Sequence, residues 1–118
     1  MEKKKIFVLE QTCGLELAAA ILDVYEKNSL EADMKINHLP EGRLPEGFDF
    51  YFIHLSDLDE RSNLDIVKKL QPESYFYEMG LGGGLYKGEK RLYQEEHTIF
   101  TDRNIEKILM RGITHKSS

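Results

Sequence analysis

Aromatic and β-branched side chains fill Phe50, Tyr51, Phe52 and Ile53 without alternation, flanked by Phe48-Asp49 on one side and His54-Leu55-Ser56-Asp57 on the other. A run of this kind suits a strand covered on both faces in an α/β domain. Lys5-Ile6-Phe7-Val8-Leu9 is a second inner strand by the same reasoning, broken by Gln11-Thr12-Cys13-Gly14. Leu15, Ala18, Ala19, Leu22 and Tyr25 then recur at helical spacing, which predicts a helix from about Thr12 to Asn28 with Thr12 as its N-cap. From Ala32 to Leu39 the pattern alternates, with Met34, Ile36 and His38 opposite Asp33, Lys35 and Asn37, as in a half-buried strand. Pro40 to Gly47 is too rich in Pro and Gly for a regular helix. The chain is therefore expected to pass from its second to its third strand with hardly any intervening helix.

Ser62-Asn63-Leu64-Asp65 matches a capping box and opens a helix that should carry Leu64, Val67 and Leu70 inward and stop before Pro72. Ser74 to Met79 reads as a fourth strand, Gly80 to Gly84 as a flexible loop, and Leu85 to Tyr93 as a small hairpin turning at Lys87-Gly88. His97 to Thr101 supplies a fifth strand, and Asp102 caps a last helix lined by Ile105, Ile108, Leu109 and Ile113. The order β-α-β-β-α-β-(hairpin)-β-α contains no repeat and no linker. It predicts an α/β fold with a three-layer, mostly parallel, doubly wound sheet and right-handed crossovers, carrying a small β-hairpin insertion. One domain over residues 1–114 with a polar tail at 115–118 accounts for the whole chain.

Composition narrows the function classes. The 118 residues, 41% hydrophobic and 31% charged, fit one soluble core and are too few for two. A formal charge of -5, with Lys3-Lys4-Lys5 as the one basic run, speaks against direct binding of nucleic acid. The single Cys13 forms no internal disulfide. The charged opening residues do not resemble a secretory signal, and no stretch approaches the length of a membrane helix. A reducing, cytoplasmic setting without membrane contact is expected.

In parallel α/β sheets the chemistry sits just beyond the carboxyl ends of the strands, and there a family resemblance becomes visible. Ile6-Phe7-Val8-Leu9-Glu10-Gln11 resembles the opening of response-regulator receiver domains, above all the branch that governs peptide-pheromone systems in Gram-positive bacteria. Asp49, four apolar residues and His54 resemble that family's third strand, which ends in the phosphorylated aspartate. Asn63 to Leu70 is similar to the following helix, and Thr98 to Asp102 with Ile105 to Leu109 is similar to the fifth strand and last helix. About two thirds of the chain is covered.

The departures decide what the resemblance implies. A working receiver holds magnesium with two acids after the first strand and attacks a phosphoryl donor with an aspartate after the third. Here Glu10 remains, but uncharged Gln11 stands at the second acidic place and His54 at the acceptor. Glu78 or Met79 replaces the switch hydroxyl, and Thr101 replaces the phosphate-sensing lysine. The resemblance thus implies a pseudo-receiver with a relict phosphorylation pocket of Glu10, Gln11, His54, Asp57 and Thr101. It implies no metal, no cofactor and no catalysis. Such a protein acts through a protein partner or by self-association in signalling or transcriptional control. Its expected interaction face is Phe100, Ile105, Ile108 and Leu109, joined by the hairpin aromatics Tyr86 and Tyr93. Any DNA-binding module would have to come from a partner.

Other readings remain open on the residues themselves. His54 at a strand end is also an ordinary hydrogen-bonded histidine. Asp57 or Asp59 is the acceptor if the register is shifted, and otherwise a loop or capping carboxylate. The glycines at 80–84 lack the Lys-Ser/Thr ending of a phosphate-binding loop. Tyr75, Phe76, Tyr77, Tyr86 and Tyr93 serve equally as sheet packing. Cys13, between the first strand and the first helix, resembles the phosphocysteine loop of sugar-phosphotransferase IIB proteins, which implies a phosphocarrier as the alternative function. Glu10, Gln11 and Thr12 intervene between strand and thiol, however, and an adjacent acid raises a thiol's pKa.

Overall fold

The computed structural model describes residues 4–12, 14–29, 31–39, 43–58, 63–79 and 84–94. Its elements are β1 (Lys4–Leu9), α1 (Gly14–Lys27), β2 (Ala32–Ile36), β3 (Phe50–His54), a 3-10 turn (Leu55–Asp57), α2 (Leu64–Leu70), β4 (Tyr75–Met79), β5 (Gly84–Lys87) and β6 (Lys90–Gln94). They form a mixed α/β fold around one six-stranded sheet in the order β2-β1-β3-β4-β5-β6. The first four strands in that order are parallel, with Val8 opposite Ile36, Leu9 opposite Ile53 and His54 opposite Met79. Their carboxyl ends therefore share one edge of the sheet. The strands over 6–9 and 50–53 are adjacent and parallel, and these eight side chains are buried, as their unbroken apolar runs predict.

Successive side chains on a strand face opposite ways, so the two inner strands feed two cores. Ile6, Val8, Phe50, Phe52, Tyr75, Tyr77 and Leu85 pack with Leu17, Ile21, Val24 and Tyr25 of α1. Phe7, Leu9, Tyr51, Ile53 and Phe76 pack with Val67 and Leu64 of α2, with Leu44 and with Phe48. Tyr51 lies flat on Phe76 across the strand pair, ring centroids 4.5 Å apart. Burial pushes the Tyr25 phenol up to about 12, and the Asp49 carboxylate adds to the rise.

Both described helices bury faces that match the expected ones only in part: Ala18, Tyr25 and Val67 are buried as the spacing predicts. On α1 the buried stripe is Gly14, Leu17, Ala18, Ile21, Val24 and Tyr25, while Leu15 is 73% exposed and Leu22 38%. The helix is apolar on two adjacent stripes, and packing selects the one with Ile21 and Val24, whose branched side chains fill the space over β1 and β3. On α2, Val67 and Lys68 face the sheet, Leu64 is half-buried and Leu70 is 60% exposed. Residues two apart on a helix point to nearly opposite sides, so turning Lys68 inward turns Leu70 to water.

Ser62 of the expected capping box lies outside the described residues; Asn63 stands at the N-cap and makes no side-chain cap bond. Its carboxamide instead accepts from the Leu44 amide at 2.7 Å and donates to the Leu44 carbonyl at 3.2 Å. This diversion has a physical reason. With no helix among the described residues between β2 and β3, segment 43–48 must find partners for its own backbone as it covers the sheet. Gln71 supplies more of them, accepting from the Gly47 amide at 2.8 Å and donating to the Phe48 carbonyl at 3.1 Å, while the Tyr51 hydroxyl donates to Pro45.

The hairpin extends the sheet: β5 pairs antiparallel with β4 and with β6, with a register shift between Leu85 and Tyr86. Gly88 turns it with φ +57, and a Cβ there would meet the Pro72 backbone at 2.8 Å. Glycine is thus required twice over at this position. The edge of β4 at which the resemblance would put a fifth parallel strand is consequently occupied by β5. The strand expected over 97–101, the helix after Asp102, and the glycines at 80–83 lie outside the described residues.

Candidate functional site

The shared carboxyl edge gathers the polar residues that the sequence singles out. β1 delivers Glu10, and Asn37 fixes where it goes. Asn37 ends β2 by entering the left-handed region at φ 53, which asparagine tolerates better than most residues. Its amide donates to the Val8 carbonyl at 2.7 Å, its Oδ1 accepts from the Glu10 amide at 2.7 Å and its Nδ2 donates to the Glu10 carbonyl at 3.0 Å. The loop after β1 is thereby clamped to the edge strand. α1 starts directly against this clamp, since a Cβ on Gly14 would come within 2.8 Å of Asn37 Nδ2.

Glu10 is buried, and its Oε1 accepts from the Thr12 amide at 2.8 Å. From β3 comes His54, half-buried, with its Nδ1 2.5 Å from Ser56 Oγ. The 3-10 turn then brings Asp57 back toward β1, where its Oδ2 accepts from the Gln11 amide at 3.0 Å. Glu10, His54 and Asp57 each offer a ligand atom within 4.8 Å of the others. Four of the five expected pocket residues, Glu10, Gln11, His54 and Asp57, therefore meet, and Gln11 contributes its backbone rather than its carboxamide. Thr101 lies outside the described residues, as do Asp59, Cys13, Phe100, Ile105, Ile108 and Leu109.

Glu78, at the expected switch position, is committed elsewhere. Its Oε2 accepts from Lys68 Nζ at 2.6 Å, with both side chains about nine-tenths buried. The same ammonium sits 3.5 Å above the centre of the Tyr86 ring, which Arg91 approaches at 5.8 Å. Tyr86 is thus half-buried beneath two cations and packs within its own sheet. Tyr93 lies on β6 opposite Leu85. A separate groove of about 340 Å³, lined by Lys5, Asp33, Met34, Lys35 and Phe48, opens away from the carboxyl edge.

Two residues that matter here were not singled out by spacing: Asn37 and Lys68. A faint signal existed for each. Asn37 is a turn-forming residue at the end of an alternating run, and Lys68 falls on the apolar stripe of α2 opposite an acid in an otherwise aromatic strand. No helix among the described residues is long and apolar enough to cross a membrane. Comparison with protein-family models, with curated proteins and with solved structures finds no match to this chain.

Proposed function

We propose that this chain is a receiver-like, doubly wound, three-layer α/β domain of the flavodoxin-like kind that has lost the aspartyl-phosphate switch and acts by binding a protein. Signalling or transcriptional control in the cytoplasm is the setting that the resemblance implies. One observation carries the reading: an imidazole, His54, stands at the carboxyl end of β3 beside Glu10, where a working receiver presents its acceptor carboxylate. The parallel order β2-β1-β3-β4 supports it, and antiparallel β5 on the far edge of β4 is a departure from it. Apolar side chains left in water on both helices, Leu15 and Leu22 on α1 and Ile66 and Leu70 on α2, support a binding role.

The test is incubation of the full chain with acetyl phosphate and magnesium, followed by intact-mass measurement after neutral and acid quenching. The mass should not change. A phosphoryl adduct mapped to Asp57 or His54 would overturn the reading, and one mapped to Cys13 would favour the phosphocarrier alternative.

A further inference from the structure

We propose that β2 is a self-association edge, at which a second copy of this chain pairs antiparallel with it about a two-fold axis through Met34. β2 ends the sheet, with β1 on one side and no strand on the other among the described residues. Backbone groups of successive residues on a strand point alternately to its two sides. Just outside β2, the Asn37 amide donates to Val8 and the Glu31 carbonyl accepts from the Lys4 amide, so by alternation Asp33 and Lys35 turn their backbone groups to β1. The amides and carbonyls of Ala32, Met34 and Ile36 therefore point outward along the free edge, and such a row is a template for another strand.

The sequence of β2 is complementary to itself. Antiparallel pairing about Met34 sets Met34 opposite its own copy and Ala32 opposite Ile36, and these become the hydrogen-bonded pairs. Asp33 then stands opposite Lys35 of the second copy, and Lys35 opposite its Asp33, in the non-hydrogen-bonded pairs where side chains come closest. Both charged residues are exposed. Sliding the copy to the next hydrogen-bonding register opposes lysine to lysine in one direction and aspartate to aspartate in the other, so charge selects a single register. An isologous contact of this kind closes at two copies.

α1 supports the same axis. In a right-handed β1-α1-β2 crossover, the step of about 100° from a sheet-facing helix residue leads toward the β2 side. Leu15 follows buried Gly14, where a Cβ would come within 3.3 Å of Ile36 Cγ2, and Leu22 follows buried Ile21. The two leucines are 73% and 38% exposed and flank the free edge. α1 lies over both β1 and β2, so two strand spacings of about 4.8 Å set the α1 axes of the two copies about 10 Å apart, the separation of packed helices. Gly14 is level with Ile36, and Met34 lies about 7 Å along the strand from it, so at about 1.5 Å per helical residue the two-fold passes near Ala18 and Ala19. Leu15 thus meets Leu22 of the second copy across a pair of small residues. This names a partner for the binding role without resting on the receiver reading, because it uses neither the carboxyl edge nor its chemistry.

Sedimentation velocity of the full chain across a dilution series tests it. The wild type should move from 13.7 kDa toward twice that mass as concentration rises. Asp33→Lys and Lys35→Asp should each weaken association by at least about tenfold, since each sets like charges opposite one another. An equimolar mixture of the two variants should restore it, since their charges are complementary only across the pair. Leu15→Asp, at an exposed position of α1, should also weaken association, and it carries the test if thermal melts show that a β2 variant fails to fold. A wild type that stays monomeric throughout would overturn the proposal and leave the edge to a different protein. So would association that survives in both charge variants, or that is lost instead in Ile66→Ser with Leu70→Ser on α2.

Discussion

Replacing Lys68 by Met should be among the most damaging single changes to this domain. Lys68 Nζ and Glu78 Oε2 are 2.6 Å apart, and their side chains are only 9% and 10% exposed. At an effective dielectric constant of about 20 their attraction is on the order of 6 kcal/mol. Removing two charges from water costs several kcal/mol for each ion, so the pair as a whole contributes little net stability. Breaking it is different. Lys68→Met leaves the Glu78 carboxylate buried without its cation, at a cost of about 3–5 kcal/mol. Domains of this size have about 5–15 kcal/mol in total. Glu78→Leu should cost less, because the ammonium keeps the Tyr86 ring 3.5 Å below it, a contact worth about 2 kcal/mol when desolvated, and its long stem lets the charge shift toward water. The double variant Lys68→Met, Glu78→Leu should lie within about 2 kcal/mol of wild type, since the pair itself contributes little and only the Tyr86 contact is lost. Urea unfolding of the four proteins, followed by circular dichroism, measures the cycle. The reasoning is refuted if Lys68→Met loses less than about 1 kcal/mol, or if the double variant loses the sum of the singles.

Further expectations follow from other parts of the fold. The Tyr25 phenol is held neutral up to about 12 against an ordinary value of 10.0, so its contribution is complete below pH 10 and disappears as pH rises toward 12. The loss is about 3 kcal/mol, it has the same sign as that of Tyr51, whose phenol burial also raises, and Tyr25→Phe should flatten this part of the stability curve against pH. Asn37→Gly keeps the left-handed backbone but loses two side-chain bonds to Glu10, costing about 1–3 kcal/mol; Asn37→Ala should cost at least about 1 kcal/mol more from backbone strain, as chemical denaturation will read. Ile66→Ser with Leu70→Ser, at exposed positions of α2, should leave unfolding free energy within about 0.5 kcal/mol per site while lowering the sedimentation mass if copies associate through this helix; a large loss of stability would mean that these side chains are covered.

What could be read from the sequence follows from how one-sided each signal is. The runs at 6–9 and 50–53 have no polar face to misassign, so their burial, their adjacency and the position of their carboxyl ends were legible. α1 was legible as a helix but not in its orientation, because Leu15 and Leu22 compete with Leu17, Ile21 and Val24 for the same sheet, and only the volume over β1 and β3 decides. Asn63, at the start of α2, serves a distant backbone, that of Leu44, which no local motif encodes. Lys68 was missed because a lysine on a helix is ordinarily solvated, and its carboxylate partner lies on another element. At the site, Glu10 and His54 follow from the strand ends. Asp57, readable as either a loop carboxylate or an acceptor, meets them only because the 3-10 turn folds back onto the Gln11 amide.

The most direct measurement of the central claim is a nitrogen–proton correlation spectrum of the full chain, recorded before and after acetyl phosphate with magnesium. The amides of Glu10, Gln11, His54 and Asp57 should keep their positions, since no aspartate occupies the end of β3. Displacement of those amides, spreading from the carboxyl edge into α2, would show a phosphoryl group accepted at this site and would contradict the account.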